Sequence, residues 1–288
     1  MKLFLADGRL GNQIFQYVFL KTIQKDSEKI IVSGFEDLKE VFEINDIVNL
    51  NKKNIWVRVF LFRIVKPIFT FLSARKIVSL ILINREMVLE KYTRESDSYT
   101  QIKGFFNFFT FVKLGFFQSE KFFNKNIVKD LKIKETYINK ASYFLEIVPE
   151  NSYKVFIHIR RGDYENYTVY GKSALLPLSY YKEQIEWFLK NSTNSFFIFL
   201  SDDLEFIKKE FKYIKNKIIS TDNHFGTDLA IMTLCNSAIL SPSSFGWWGS
   251  YLMRERDIVL SPKYWLGFNS KIEYHKNGSP SYSKEIKI

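Results

Sequence analysis

The 288-residue chain contains one cysteine and three histidines, and its acidic residues, 31, fall short of its 42 lysines and arginines. Each shortage excludes something. A lone Cys235 cannot form an internal disulfide, and its apolar neighbours suit a buried thiol in a reducing compartment rather than a catalytic nucleophile. His158, His224 and His275 are widely spaced and, with a single cysteine, offer no structural zinc cluster, so no bound transition metal is expected. The opening Met1-Lys2-Leu3-Phe4-Leu5-Ala6-Asp7 is too short and too soon acidic for the apolar core of a signal peptide, and the protein is expected to stay in the cytosol. No internal repeat and no long Lys/Arg block is present. With no recognisable nucleic-acid module either, the net charge of +11 points away from nucleic acid, leaving an anionic membrane or a phosphorylated substrate as the polyanion.

What is abundant is apolar and aromatic: 46% and 17% of the chain, with 29 Phe and 16 Tyr, enough to fold throughout as one large domain or two halves. Leu3 to Ala6 reads as a strand, the loop Asp7-Gly8-Arg9-Leu10-Gly11-Asn12-Gln13 as the start of a helix through about Gln24, and Ile30 to Val32 as a second strand. The glycines at 8 and 11 either admit a ligand close to the backbone or simply make the turn, and their spacing is not the dinucleotide-binding fingerprint. From Ile55 to Ile83 there are five basic residues, Arg58, Arg63, Lys66, Arg75 and Lys76, and no acidic one. Apolar positions at helical spacing make this an amphipathic basic segment, with Pro67 expected to separate two helices. It suits either a core-facing helix with a solvated basic face or peripheral contact with an anionic membrane, but charges interrupt it too often for a transmembrane span. Seven phenylalanines between Phe105 and Phe117 are expected to pack the core or an inter-lobe seam.

Pro149 followed by Glu150, Asn151 and Ser152 is the expected boundary, giving residues 1–150 and 151–288, with a C-terminal tail able to return to the first half. The second half alternates strands (155–159, 196–200, 218–220, 238–241, 258–260) with helices near 178–190, 204–211, 228–234 and 246–253, the pattern of a parallel sheet covered on both faces. Three of these strands end in polar residues, which a parallel sheet would bring to one edge. The first delivers His158, Arg160 and Arg161 into a Gly162-Asp163 turn, where the guanidinium forks suit phosphate or a local ion pair. The second delivers Asp202 and Asp203, as a metal pair, as acceptors for a base edge, or as caps of the following helix, with Asp203 better placed for capping and Asp202 for function. The third runs into Ser241-Pro242-Ser243-Ser244-Phe245-Gly246, an anion-binding helix start or a plain N-cap.

Four motifs in order, GRLGNQIFQY at 8 to 17, HIRRGDY at 158 to 164, FLSDD at 199 to 203 and DLAIMTLCNSAILSPSSFGWWGSYL at 228 to 252, resemble glycosyltransferase family 11, the α-1,2-fucosyltransferases. More loosely, they resemble the α-1,6- and protein O-fucosyltransferases. Residues from about 35 to 150 carry none of this likeness. The resemblance implies an α/β, GT-B-like fold of two Rossmann-like lobes facing a cleft, the N-terminal lobe irregular, helix-rich and on the acceptor side, the C-terminal lobe binding the GDP-sugar. It implies transfer of fucose with inversion from GDP-β-L-fucose to the 2-OH of a galactose-type residue in a surface glycan, with a lipid-linked acceptor at a membrane also in view.

By the same resemblance Arg160 contacts the diphosphate and stabilises the leaving group. Arg161 supports donor binding, His158 and Asp202 face the guanine, Ser243, Ser244 and Phe245 lie along the diphosphate, and Gly11 and Asn12 close over the donor. No cofactor or metal is implied, since Asp202-Asp203 lacks the Asp-x-Asp spacing. Asp7, Asp163 and Glu165 stand as candidates for the acceptor's base, none preferred, and Asp163 could instead orient the arginines. The rival readings are a transferase of another GDP-deoxysugar and a non-catalytic nucleotide- or polyanion-binding protein.

Overall fold

Short apolar segments of the first third pair in parallel around Lys2–Leu5 (β1), which lies between Ile30–Ser33 (β2) and the much later Phe106–Val112 (β6). Val48–Leu50 (β3) extends the sheet beyond β2. Val78–Val88 (β4) lies alongside β6 and turns back antiparallel into Tyr92–Ile102 (β5), giving the order β3-β2-β1-β6-β4-β5. This computed structural model describes residues 1–50, 54–221 and 224–288. The helix Leu10–Thr22 follows β1 directly. Gly8, at φ +94°, makes the turn into it, and a Cβ there would lie 2.7 Å from Asn12 Cβ, so both the backbone and the space call for glycine.

The buried amides of that helix hold the surrounding loops. Gln13 donates to the Gly8 carbonyl and accepts from Leu38 N, and Gln16 donates to the carbonyls of Asp7 and Gly115. The contacts to Leu38 N and the Gly115 carbonyl satisfy backbone groups that are buried. Three expectations need correcting in this unit. Pro67 does not divide the 55–74 segment: Ile55–Phe60, a π-helical turn Leu61–Val65 and Lys66–Ala74 run on without a break, the π-helical turn standing directly before Pro67, where the regular bond pattern is interrupted. Beyond it, residues 78–83 are strand and do not continue the amphipathic helical segment, and the lobe carries a six-stranded sheet beside its helices. The phenylalanine cluster is only partly core. Phe111 and Phe117 are buried, Phe117 stacked 3.9 Å from Phe19, whereas Phe105, Phe106 and Phe108 are exposed.

A second six-stranded sheet, all parallel, has the order β11-β10-β7-β12-β13-β14. Its strands are Tyr153–Ile159 (β7), Ser195–Ser201 (β10), Lys217–Ile219 (β11), Ser237–Leu240 (β12), Val259–Pro262 (β13) and Lys284–Ile286 (β14). Thr168–Val169 (β8) and Lys172–Ser173 (β9) form a small separate ribbon. Residues two apart face one side. Val155, Ile157 and Ile159 therefore share a buried cluster with Phe197, Phe199, Ile239 and Leu260, covered by Tyr180, Tyr181, Ile185 and Phe188 of the helix Leu178–Asn191. His158, one residue out of phase, meets the helix Ser244–Tyr251, where a Cβ on Gly246 would lie 2.9 Å from His158 Nδ1. Truncating a phenylalanine in such a core costs about 3–5 kcal/mol.

The chain divides into Met1–Lys132 and Ile133–Ile288, upstream of the boundary expected near Pro149. The helix Glu135–Leu145 belongs to the second unit because it packs on the helix Phe225–Thr233, with Gly226 against the Tyr137 ring. In the tail, Lys284–Ile286 is the outermost strand of the second sheet, registered on β13 from Leu260 to Pro262.

Candidate active site

The register of the second sheet sets three strand ends side by side. His158 of β7 lies between Leu200 of β10 and Leu240 of β12, so the polar residues that follow each strand leave the sheet from neighbouring positions. His158, Arg160, Arg161, Asp202, Ser243, Ser244 and Phe245 are thereby gathered on one edge, the carboxyl edge where α/β sheets hold ligands. Gly11 and Asn12 lie in the first unit, where Asn12 Oδ1 accepts from Gln118 Nε2 at 2.8 Å.

Ser241 joins two of these strand ends and was not among the residues singled out in the sequence. Its hydroxyl donates to the His158 carbonyl at 2.7 Å and accepts from Arg160 N at 2.9 Å, with His158 Nδ1 at 3.1 Å. A hydroxyl has one proton to give, so His158 Nδ1 is the donor in the third contact and Nε2 is left as an unprotonated acceptor. Burial, reinforced by the charge of Arg160, pushes the imidazole pKa down to about 3 and keeps the ring neutral.

Arg160 is held from two sides. Its Nε donates to Asp163 Oδ1 at 2.8 Å and its Nη1 meets Asp202 Oδ2 at 3.0 Å, while Nη2 has no acceptor among the described residues. Burial works against the guanidinium's charge, but the Asp163 hydrogen bond and the charges of Asp202 and Asp163 more than offset it, and its pKa is raised. Asp202 is committed inward: its other oxygen accepts from Arg161 N at 2.9 Å, and a Cβ on Gly162 would stand 2.7 Å from Oδ2. That geometry ties Asp202 to both Arg160 and the turn that follows it. Arg161 points elsewhere, to Asp203 and Glu165 at 3.0 Å each, with its guanidinium carbon 3.9 Å from the centre of the Phe206 ring. Asp203 also accepts from Phe206 N at 3.0 Å, the capping role expected of it.

The last strand end is braced in the same manner. Ser243 caps the helix Ser244–Tyr251 by accepting from Phe245 N at 3.3 Å, and the Phe245 ring lies 5.8 Å from that of His158. Tyr164 Oη donates to the Pro242 carbonyl at 2.9 Å and so ties the arginine turn to the serine turn. Asp228, also missed in the sequence, lies in the first turn of its helix and contacts Ser220 Oγ at 2.5 Å, just beyond β11. Burial raises its carboxyl pKa to about 6 against the opposing Ser220 hydrogen bond. The site can thus present one oriented cationic edge, the backbone N–H groups of a capped helix and a neutral ring acceptor to a single ligand. Four carboxylates, Asp163, Glu165, Asp202 and Asp203, fix the two arginines, so bulk positive charge is not what the turn offers.

Two sheets rich in parallel strands, the second carrying this edge, give the chain a GT-B-like fold. The same fold occurs in the fucosyltransferase NodZ from Bradyrhizobium, with a TM-score of 0.51 at 10% identity over 88% of this chain and 92% of that one. It occurs again in POFUT1 in complex with GDP, with a TM-score of 0.52 at 13% identity, covering 90% and 97%. The chain belongs to Glycosyl transferase family 11, whose family model matches residues 3–278. Its relatives include an alpha-1,2-colitosyltransferase of Escherichia coli, 28% identical over 90% of each chain. Two others are an O-antigen biosynthesis glycosyltransferase, WbnK, of Escherichia coli, 24% identical over 92% and 94%, and a bovine galactoside 2-alpha-L-fucosyltransferase, 21% identical over 89% of this chain and 65% of that one.

Proposed function

We propose that this chain transfers L-fucose, with inversion, from GDP-β-L-fucose to the 2-OH of a galactose-type residue in a surface glycan of the O-antigen kind. One observation carries the reading: Arg160 is gripped by two carboxylates, on its Nε and Nη1, while Nη2 has no acceptor among the described residues. In the reaction the bond from fucose C1 to the β-phosphate oxygen breaks and its electron pair stays on GDP. The acceptor oxygen bonds to C1 from the opposite face and loses its proton. Negative charge grows on the departing phosphate, and a pre-oriented guanidinium edge stabilises that charge more in the transition state than before it.

Within the proposal Ser243, Ser244 and Phe245 lie along the diphosphate, with the N–H of Ser244 at the helix start receiving a phosphate oxygen. The neutral Nε2 of His158 accepts from a guanine N–H. Asp202 and Arg161 act by positioning Arg160 and the turn, and Gly11 and Asn12 of the first unit are included as donor contacts on the family pattern. Of the three candidate bases, Asp163 and Glu165 are drawn into arginine pairs, which favours the orienting role for both.

A second reading, transfer of a different GDP-linked deoxysugar, is favoured by the 28% identical colitosyltransferase, because colitose is L-fucose without its 3-hydroxyl. The test is to incubate the protein with GDP-fucose, GDP-colitose and other GDP-sugars over a panel of galactosides, measuring GDP release and product linkage. Fucose in α-1,2 linkage on a galactoside is the expected product. Preferential use of GDP-colitose establishes the second reading. Nucleotide binding with no transfer from any donor to any member of the panel overturns both.

A further inference from the structure

We propose that the outer face of the helical segment Ile55–Ala74, with the neighbouring phenylalanines 105, 106 and 108, docks the protein on an anionic phospholipid surface. The inference is independent of the donor and acceptor assigned above. The segment is apolar on two sides. Val57, Leu61, Val65 and Phe69 face inward, packed with Leu3, Leu5, Leu80, Phe109 and Phe111. A surface helix would ordinarily be polar on its other side. Here the other side carries Trp56, 81% exposed, with Phe60, Ile64, Ile68 and Phe71, each about half exposed.

The cations are interleaved with these side chains. Arg63, Lys66 and Arg75 are exposed on the same stretch, Arg75 with its guanidinium carbon 5.2 Å from the centre of the Phe71 ring. From Ile47 to Arg85 the sequence has eight lysines and arginines and no aspartate or glutamate. The side chain of Arg58 lies outside the described residues. At the carboxyl end of the segment, Phe105 N and Phe106 N donate to the carbonyls of Lys76 and Ile77 at 2.8 Å, so a second apolar cluster begins where the helix stops. Phe105 is 84% and Phe108 67% exposed, and both rings meet Phe106 edge-on.

Exposed aromatic and aliphatic side chains in this number mark an interaction surface, and cations alone among the charged groups say which kind. Trp and Phe insert into the boundary of headgroup and acyl chain while Lys and Arg extend their stems to the phosphates. A second copy of the chain fits less well: a two-fold contact would set Arg63, Lys66 and Arg75 against themselves with no acidic residue from the segment between them. Among the described residues no helix is long and apolar enough to cross a membrane, so the contact proposed is with one leaflet's surface.

The experiment is co-sedimentation with vesicles of phosphatidylcholine alone and of phosphatidylcholine mixed with phosphatidylglycerol, with bromine-labelled acyl chains to quench tryptophan fluorescence. The protein should bind the mixed vesicles and scarcely the neutral ones, and quenching should vanish in Trp56→Phe. Each cation near an anionic leaflet is worth about fivefold in partitioning, so Arg63→Glu with Lys66→Glu and Arg75→Glu, which also adds repelled charge, should lower it by at least about a hundredfold. Trp56→Ser with Phe60→Ser and Phe71→Ser should weaken binding at every salt concentration, and both triple variants should keep the parent's circular dichroism and turnover of a water-soluble acceptor. No binding to anionic vesicles, or binding that both triple variants retain, overturns the proposal. So does a dimer seen by analytical ultracentrifugation that either triple variant abolishes.

Discussion

Replacing Arg160 by lysine separates charge from geometry at the centre of the site. The guanidinium reaches Asp163 at 2.8 Å through Nε and Asp202 at 3.0 Å through Nη1, and Nη2 has no acceptor among the described residues. An ammonium keeps the positive charge near Asp163 and Asp202 but has no planar fork with which to hold two carboxylates and still present a fixed third edge. The fold should therefore survive, since the side chain is partly exposed and the carboxylates keep a cation. Loss of one well-aimed transition-state donor costs about 3–4 kcal/mol, and each 1.36 kcal/mol is tenfold, so kcat should fall roughly two to three orders of magnitude. Donor KM should change far less, because the contact strengthens as charge develops on the phosphate. Single-turnover transfer from GDP-fucose, with GDP affinity measured by calorimetry on the same preparation, reads both quantities. Turnover within tenfold of the parent, with unchanged circular dichroism, would refute the leaving-group role.

Gly162→Ala should act on the same clamp indirectly: its Cβ would stand 2.7 Å from Asp202 Oδ2, and displacing that carboxylate should cost about tenfold in kcat/KM with little loss of stability, as read by steady-state assay and thermal unfolding. Gly8→Ala meets a φ of +94° and the Asn12 side chain, so stability in urea should drop by about 1–2 kcal/mol. The buried His158 is neutral in the fold, with a pKa near 3, and takes a proton below about 6.5 when unfolded. Its contribution is complete above pH 6.5 and is lost as pH falls toward 3, about 2 kcal/mol of it by pH 5. Urea midpoints compared between the parent and His158→Gln should show that component disappear in the variant, and parallel pH profiles would refute it.

The second unit was the more legible in sequence because its strands are short apolar runs closed by polar strand ends, and period and punctuation agree there. His158, Arg160 and Ser243 fall at one sheet edge for that reason. What no linear pattern displays is the direction in which a side chain is spent. Asp202 and Arg161 are ordinary motif residues until their partners, Arg160, Asp203 and Glu165, are seen to consume them. Ser241 and Asp228 were overlooked for the converse reason: a serine at a strand end and an aspartate in a helix's first turn look like routine capping until burial and hydrogen bonds single them out. In the first unit, β1 pairs with β6 across about a hundred residues, a long-range contact that local periodicity cannot announce. The alternating Ser, Thr and Tyr of 92–102 become a strand only because Val78–Val88 is there to pair with.

The neutral imidazole of His158 also determines what a pH–rate profile of this enzyme can report. A ring that stays deprotonated to about pH 3 contributes no limb to the curve at ordinary pH. Asp228, whose carboxyl burial raises to about 6, titrates within the working range. An acid limb that disappears in Asp228→Asn therefore belongs to that carboxyl, and one that persists belongs to another group that His158 cannot supply.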